Sequence, residues 1–357
     1  MGSKTVTLQQ IALEAGVSAV TVSNILNGKN KELWPSTLLR AEKVREIAAR
    51  LGYRTHGAAK AIATGRFNTI ALMMSNSPYV SNLPMRLLWG IQEEAVRCDL
   101  HLLLSRISAS NQNSDEAIPR ILRECMADGL LLDYTHCIPS SLTTLVEKQN
   151  IPTIWLNVKQ KFNSVYPDDY EAGYQLGKHL GSLGHKSVGY VSYVDGPPTP
   201  VHHYSTFDRR LGLSDAISLT KGTIHDFVRS HACFADTLQY WRTYFRGVGG
   251  KSCPTAFVTY SARNAMPLMR AAELEGLHSP RDYSIATFDD TEMDYLGLPL
   301  CMCKLPWDRI GAKGVQLLLA KIEKREKSML SEAVKLEWIP GSSTGPVPIN
   351  RRDPACF

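Results

Sequence analysis

No apolar run in this chain of 357 residues approaches the roughly 18 consecutive residues that a membrane span needs. The opening stretch, Met1-Gly2-Ser3-Lys4-Thr5-Val6-Thr7, lacks the apolar core of a secretory signal, which argues against export. The eight cysteines are scattered, so a reducing cytoplasm is expected rather than a disulfide framework. Catalytic signatures are missing as well. There is no P-loop, no G-x-S-x-G elbow, no H-E-x-x-H and no G-x-G-x-x-G after a first strand, which argues against an enzyme. Cys301-Met302-Cys303 has no second pair or histidine cluster nearby to complete a metal site, so buried thiols are expected there. His202-His203 follow a Gly/Pro stretch that reads as an exposed loop. Neither a cofactor nor a metal is expected.

The composition that remains is that of a soluble globular protein, with 44% hydrophobic and 21% charged residues, and the length suits two or three domains. Charge is unevenly placed. Residues 1–66 hold ten Lys/Arg against four acids, which accounts for the whole net charge of +6 and leaves the remainder formally neutral. A small basic module on a large neutral body suggests a polyanion-binding head, although a solvated basic tail carries the same charge.

Periodicity separates the two readings. Leu8, Ile11, Ala12 and Ala15 fall at i, i+3, i+4 and i+7, the apolar stripe of a short helix. Gly16 supplies a turn, Ser18 is a helix N-cap, and Val22, Ile25 and Leu26 repeat the spacing before Asn27-Gly28 ends the second helix. Two short helices joined by a glycine-containing turn form a helix-turn-helix, whose second helix enters the major groove of DNA. A third helix is expected over about 37–51, with Leu38, Ala41, Val44, Ile47, Ala48 and Leu51 facing inward. Ala19, Val20, Thr21, Ser23 and Asn24 are left on the outer face of helix two. Small side chains there allow close approach, hydroxyls reach phosphates, and Asn24 can pair with an adenine edge. The competing reading is a three-helix bundle used for protein contacts.

The run from Thr7 to Gly28, TLQQIALEAGVSAVTVSNILNG, resembles the opening of the lactose-repressor/galactose-repressor family of regulators. That resemblance implies phosphate contacts by Thr7, Ser18, Thr21, Ser23 and Asn27, and base-reading positions at Ala19, Val20 and Asn24. Many members carry arginine where this chain has Asn24. Residues 52–66 resemble the family's hinge, whose paired helices wedge an apolar side chain into the minor groove. The resemblance adds Tyr53, Ala59 and Ile62 to the DNA-binding set, with Ile62 at the wedge position, while Thr55 and His56 replace the customary Pro-Asn pair. A hinge helix starting near His56 would span about two turns, marginal alone and further weakened by Gly57, and thus suited to folding on binding.

Beyond residue 68, apolar runs at 70–74, 101–104, 129–132, 152–156, 187–191, 256–258 and 284–288 alternate with helical patterns. The helical stretches lie at 85–97, 115–124, 140–148, 170–183, 210–219, 236–245 and 264–275. Such alternation predicts doubly wound parallel sheets, too many strands for one sheet, hence two lobes with a ligand cleft outside the strand carboxyl ends. The full expectation is an all-α helix-turn-helix head on a two-lobed α/β body, which by resemblance is similar to the periplasmic sugar-binding proteins. The head is placed at 1–54, the hinge at 55–67 and the effector-binding and dimerisation domain at 68–357. Lobe one is expected over 68–163 and 292–326, lobe two over 164–291 and 327–357.

The body resembles the same family in Leu183-Gly184-His185-Lys186 and Phe288-Asp289-Asp290 above all. The resemblance implies a dimeric repressor of near-palindromic operator DNA, whose affinity changes when a small sugar-like effector binds between the lobes. It points to Arg209 and Asp289 as effector contacts, with Asp168 or Asp169 near the crossover and the polar loop 75–82, including Ser75 and Asn76, on the first lobe. Tyr260-Ser261 stands where many relatives have Asn-Asp, which removes polar partners for a sugar and offers Tyr260 as a stacking face. Arg209 as a surface residue, Asp290 as a helix cap and His185 as a packed connector are the structural alternatives. The Pro- and Gly-rich tail 339–357 has no heptad repeat, so a dimer is expected and not a coiled-coil tetramer. A DNA binder with a vestigial, non-responsive cleft is the alternative function.

Overall fold

The computed structural model describes residues 6–27, 35–53, 65–75, 83–107, 126–134, 140–194, 203–230, 234–247 and 253–348. The expected helix at 115–124, Ala59 and Ile62 with most of the hinge, Asn76 with most of its polar loop, and His202 lie outside the described residues. The chain divides into two compact units, Met1–Phe67 and Asn68–Phe357.

The first unit is built on three helices, α1 (Leu8–Ala15), α2 (Ala19–Leu26) and α3 (Pro35–Arg50). Thr7 and Gln10 close a capping box on α1, and Gly16 ends it at φ 73°, a left-handed conformation that glycine adopts without strain. Ile11, Ala12 and Ala15 of α1 pack with Val22 and Ile25 of α2 and with Ala41, Val44, Ile47 and Ala48 of α3. Each fully buried Val or Ile contributes roughly 1.5–3 kcal/mol, and small alanines between them let the helices approach. Leu38 departs from expectation. It is exposed, because the inward stripe of α3 begins one turn later, at Ala41.

The second unit holds two six-stranded sheets. The first contains β1 (Thr69–Ser75), β2 (His101–Ile107), β3 (Gly129–Asp133), β4 (Thr153–Leu156) and β5 (Ser164–Pro167). The second contains β6 (Ser187–Val194), β7 (Thr223–Ser230), β8 (Ala256–Thr259) and β9 (Ser284–Asp289). A short hairpin, β10 (Asp294–Tyr295) and β11 (Leu298–Pro299), stands apart, and β12 (Cys301–Lys304) pairs with β9. Then β13 (Glu332–Val334) adds to the first sheet beside β5, and β14 (Glu337–Ile339) adds to the second beside β12. The strand orders are β13-β5-β4-β3-β1-β2 and β14-β12-β9-β8-β6-β7, parallel except where β14 meets β12. The chain therefore crosses between lobes after Pro167, after β12, and again between β13 and β14. Residues 164–167 belong with lobe one and 301–304 with lobe two, against the reading that divided the lobes at 163 and 292. Strand pairing decides this: Leu156 registers with Val165, and Cys303 with Phe288.

In the second unit the helices are α4 (Met85–Arg97), α5 (Ser140–Lys148), α6 (Asp169–Ser182), α7 (Tyr204–Ser218), α8 (Phe234–Gly247), α9 (Ala262–Leu274) and α10 (Trp307–Lys324). Each lobe contains one helix pair in backbone contact through glycine. A Cβ on Gly90 of α4 would lie 2.0 Å from the Asp308 carbonyl of α10, and one on Gly212 of α7 would lie 2.1 Å from the Tyr170 carbonyl of α6. The second pair sets the position of Arg209 on α7.

Candidate functional site

In the head, Ser18 caps α2 by accepting from the Thr21 amide at 3.1 Å, and its Oγ is 2.8 Å from Thr21 Oγ1. Asn27 donates to the Ser23 carbonyl at 2.8 Å and to Ser23 Oγ at 3.2 Å. The hydroxyl and amide groups expected on phosphates thus also hold the ends of α2, which fixes where they point. Val20 is 69% exposed, at the centre of the outer face, with Asn24 half-buried one turn on. Ala19 and Tyr53 both pack partly against the head core, so these expected contact residues also have structural roles. Thr7 is exposed while capping α1.

In the body, Arg209 is 4% exposed and Asp169 is 1% exposed. The Arg209 Nε donates to Asp169 Oδ1 at 2.6 Å, and Nη1 donates to the Tyr260 carbonyl at 2.8 Å. The Tyr260 and Phe288 rings flank the guanidinium, each centroid 4.5 Å from its central carbon. Burial works against the Arg209 charge, but Asp169 more than offsets it and holds the guanidinium above its ordinary value. Gly173 makes this pairing possible, since a Cβ there would lie 2.2 Å from the Arg209 carbonyl. Arg209 is not a surface residue; its Nε is held by a carboxylate and its Nη1 by a backbone carbonyl.

Of the two carboxylates that the sequence reading places near the crossover, Asp168 caps α6 by accepting from the Glu171 amide at 3.2 Å. Its neighbour Asp169 is the one that meets Arg209. Asp289 accepts from the Ala262 and Asp290 amides at 2.9 Å each, and so ties β9 to the first turn of α9. Burial pushes the Asp289 carboxyl up despite those hydrogen bonds. Ser75 ends β1, buried. Nearby, at the end of β3, Asp133 is buried too, and burial pushes its carboxyl up to about 7.

A chain of hydrogen bonds that sequence reasoning missed joins the lobes. Tyr260 Oη is 2.8 Å from Ser205 Oγ, which is 2.7 Å from His203 Nδ1. The His203 Nε2 lies 2.9 Å from the Asn157 carbonyl, just beyond β4. A neutral ring donates from Nε2 to that carbonyl and accepts at Nδ1 from Ser205. The expected helix start at 210 concealed this. Helix α7 begins at Tyr204, which puts Ser205 one turn before Arg209 on the same face, a spacing that was visible in the sequence.

His185 is buried and serves as a connector. It lies 2.9 Å from Thr255 Oγ1, 3.0 Å from Ser284 Oγ and 3.0 Å from the Gly345 carbonyl. Burial lowers its basicity. Cys301 and Cys303 are buried free thiols, and no group of three His, Cys, Asp or Glu able to hold a metal exists among the described residues. No helix among them is long and apolar enough to cross a membrane.

A family described as a periplasmic binding protein-like domain matches residues 178–344. The chain is similar to the HTH-type transcriptional regulator AglR of Rhizobium meliloti, 27% identical over 96% of this chain and 95% of that protein. Catabolite control protein A of Staphylococcus xylosus is 26% identical over 88% of this chain and 92% of its own length. Among solved structures, the lac repressor dimer bound to operator and the anti-inducer ONPF superposes with a TM-score of 0.73 at 22% identity, covering 96% of this chain and 100% of that one. A complex of the transcriptional regulator CelR with cellobiose matches with a TM-score of 0.59 at 18% identity, covering 95% and 99%. Those structural likenesses speak for the fold, and the curated relatives extend the match through head and body together. Over head and body together, the chain is similar to transcriptional regulators of the lactose-repressor/galactose-repressor (LacI/GalR) family.

Proposed function

We propose that this chain is a sequence-specific DNA-binding repressor that acts as a homodimer on a near-palindromic site, and that a small sugar-like effector bound between its lobes changes its affinity. The observation that carries the DNA-binding half is the outer face of α2. A helix capped at both ends presents exposed Val20, half-buried Asn24 and a row of hydroxyls, on a separate unit that holds the chain's whole basic excess. Basic groups supply the salt-dependent phosphate attraction and the small outer face admits base edges. The relatives' printed descriptions, an operator-bound dimer and a cellobiose complex, support dimerisation and a sugar-like effector. Ile62 is assigned as the minor-groove wedge and Arg209, Tyr260 and Asp289 as the effector-facing cluster, with Ser75 opposite.

Selection from a random duplex pool tests the first half: enrichment of a palindromic site is expected, and a pool that stays random contradicts it. A panel of sugars and nucleobases tests the second, because any ligand that binds the folded state raises its melting temperature. A second reading draws on the closure of Arg209 against Asp169 and Tyr260, which leaves the guanidinium little to offer a sugar. In that reading the protein binds DNA without an effector response, and no compound of the panel shifts the melting temperature.

A further inference from the structure

A cavity of about 610 Å³ lies within lobe one, between the end of α5, the start of β4 and the end of α10. Its size falls in the ~300–1,000 Å³ range of small-molecule pockets. It is well separated in the fold from the Arg209 cluster, because Thr153 opens β4 whereas ligands of parallel sheets gather at the strands' carboxyl ends.

Its inner wall carries Lys321, which is 7% exposed. Among the described residues its Nζ has one hydrogen bond, to the Thr153 carbonyl at 3.3 Å, and no carboxylate partner. An ammonium has three donors, and an ion buried without a counter-charge is unfavourable. Burial also lowers the Lys321 ammonium below its ordinary value. The other charged groups of the lining, Glu147, Arg325, Glu326 and Lys327, are all exposed and therefore screened by solvent. Lys321 is thus the one buried ion of the wall. Beside it the surface is apolar: Trp155, Ile151 and Ile322 form a face broad enough for a ring or a short hydrocarbon chain.

We propose that this cavity binds a small organic carboxylate with an aromatic or apolar body, its oxygens accepting from the remaining Lys321 donors and its body lying against Trp155. The complex supplies the counter-charge that the fold itself does not, and places a second ligand site on the lobe that does not hold Arg209.

Phenylacetate and its neutral counterpart phenylacetamide are suitable probes, titrated against the full-length protein by calorimetry. Phenylacetate is expected to bind wild type, with phenylacetamide at least tenfold weaker. Lys321→Met, which keeps the length of the side chain and removes its charge, is expected to weaken phenylacetate at least tenfold. Equal binding of the two probes to wild type overturns the proposal, as does unchanged phenylacetate binding in Lys321→Met. Absence of phenylacetate binding up to about 10 mM, the weak end of specific recognition, overturns it too. The probe comparison uses wild type alone, so it decides the matter even if the variant fails to fold.

Discussion

Asp169 Oδ1 accepts from Arg209 Nε at 2.6 Å, with both side chains withdrawn from water. The pair joins the start of α6 to the first turns of α7 and lies under the Tyr260 ring. Asp169→Asn leaves the guanidinium buried without its counter-charge, which costs about 3–5 kcal/mol. Urea unfolding at neutral pH measures this. Replacing both residues together, Asp169→Leu with Arg209→Met, is expected to restore most of the loss. A single-variant cost below about 1 kcal/mol, typical of an exposed pair, contradicts the burial argument.

Gly212→Ala tests how that pair is positioned. The added methyl would meet the Tyr170 carbonyl, so α6 and α7 must separate. Overpacking of this kind costs about 1–3 kcal/mol. The effect of Asp169→Asn should shrink in the Gly212→Ala background, because the ion pair is already loosened. Strictly additive effects in denaturant titrations would refute the coupling.

Tyr260→Phe removes the hydroxyl that meets Ser205 and leaves the ring against Arg209. The expected cost is about 1 kcal/mol, the usual net value of one hydrogen bond. Ser205→Ala in the same protein should then cost less than it does alone, since the two share one contact. Independent effects in a double-mutant cycle would place the two hydroxyls apart.

Asp133 supplies the pH dependence. Its carboxyl is raised to about 7 in the fold from an ordinary 3.8, so between those values the native state binds more protons than the unfolded chain. Stability from this group is therefore present in full at pH near 4 and lost as pH rises through about 7. Asp133→Asn is expected to exceed wild type in stability at pH 8, with the gap narrowing toward pH 5. His185, lowered by burial, acts in the opposite direction in both proteins and cancels from the comparison. A constant difference across that range contradicts the assignment.

The head was legible in residue spacing because each of its signals is local: Gly16 and Ser18 bracket a turn, and the apolar stripes of α1 and α2 each fill one helix face. The body was legible where strands are buried on both sides, as in Leu130–Leu131–Leu132 of β3. It was obscure where they are not. Residues 223–230 form an edge strand whose residues are exposed or half-buried where described, and no apolar run marks it. The lobe crossings hinge on pairing over long separations, as when Val334 registers with Pro167, and no local pattern encodes that. Arg209 is singled out by resemblance, yet spacing alone leaves Asp168 and Asp169 open as its neighbour, because two adjacent carboxylates look alike until the helix start assigns one to the cap. The chain from Tyr260 to Asn157 likewise needs three dimensions, since its members come from three separate segments.

The most direct test of the account is a titration of full-length protein on a selected palindromic duplex, on a single half-site, and on a scrambled duplex of equal length at fixed salt. The account predicts that the palindrome binds at least 10³-fold more tightly than the scramble, the low end for specific recognition, and that the half-site loses most of that advantage. Equal affinity for all three duplexes would contradict it.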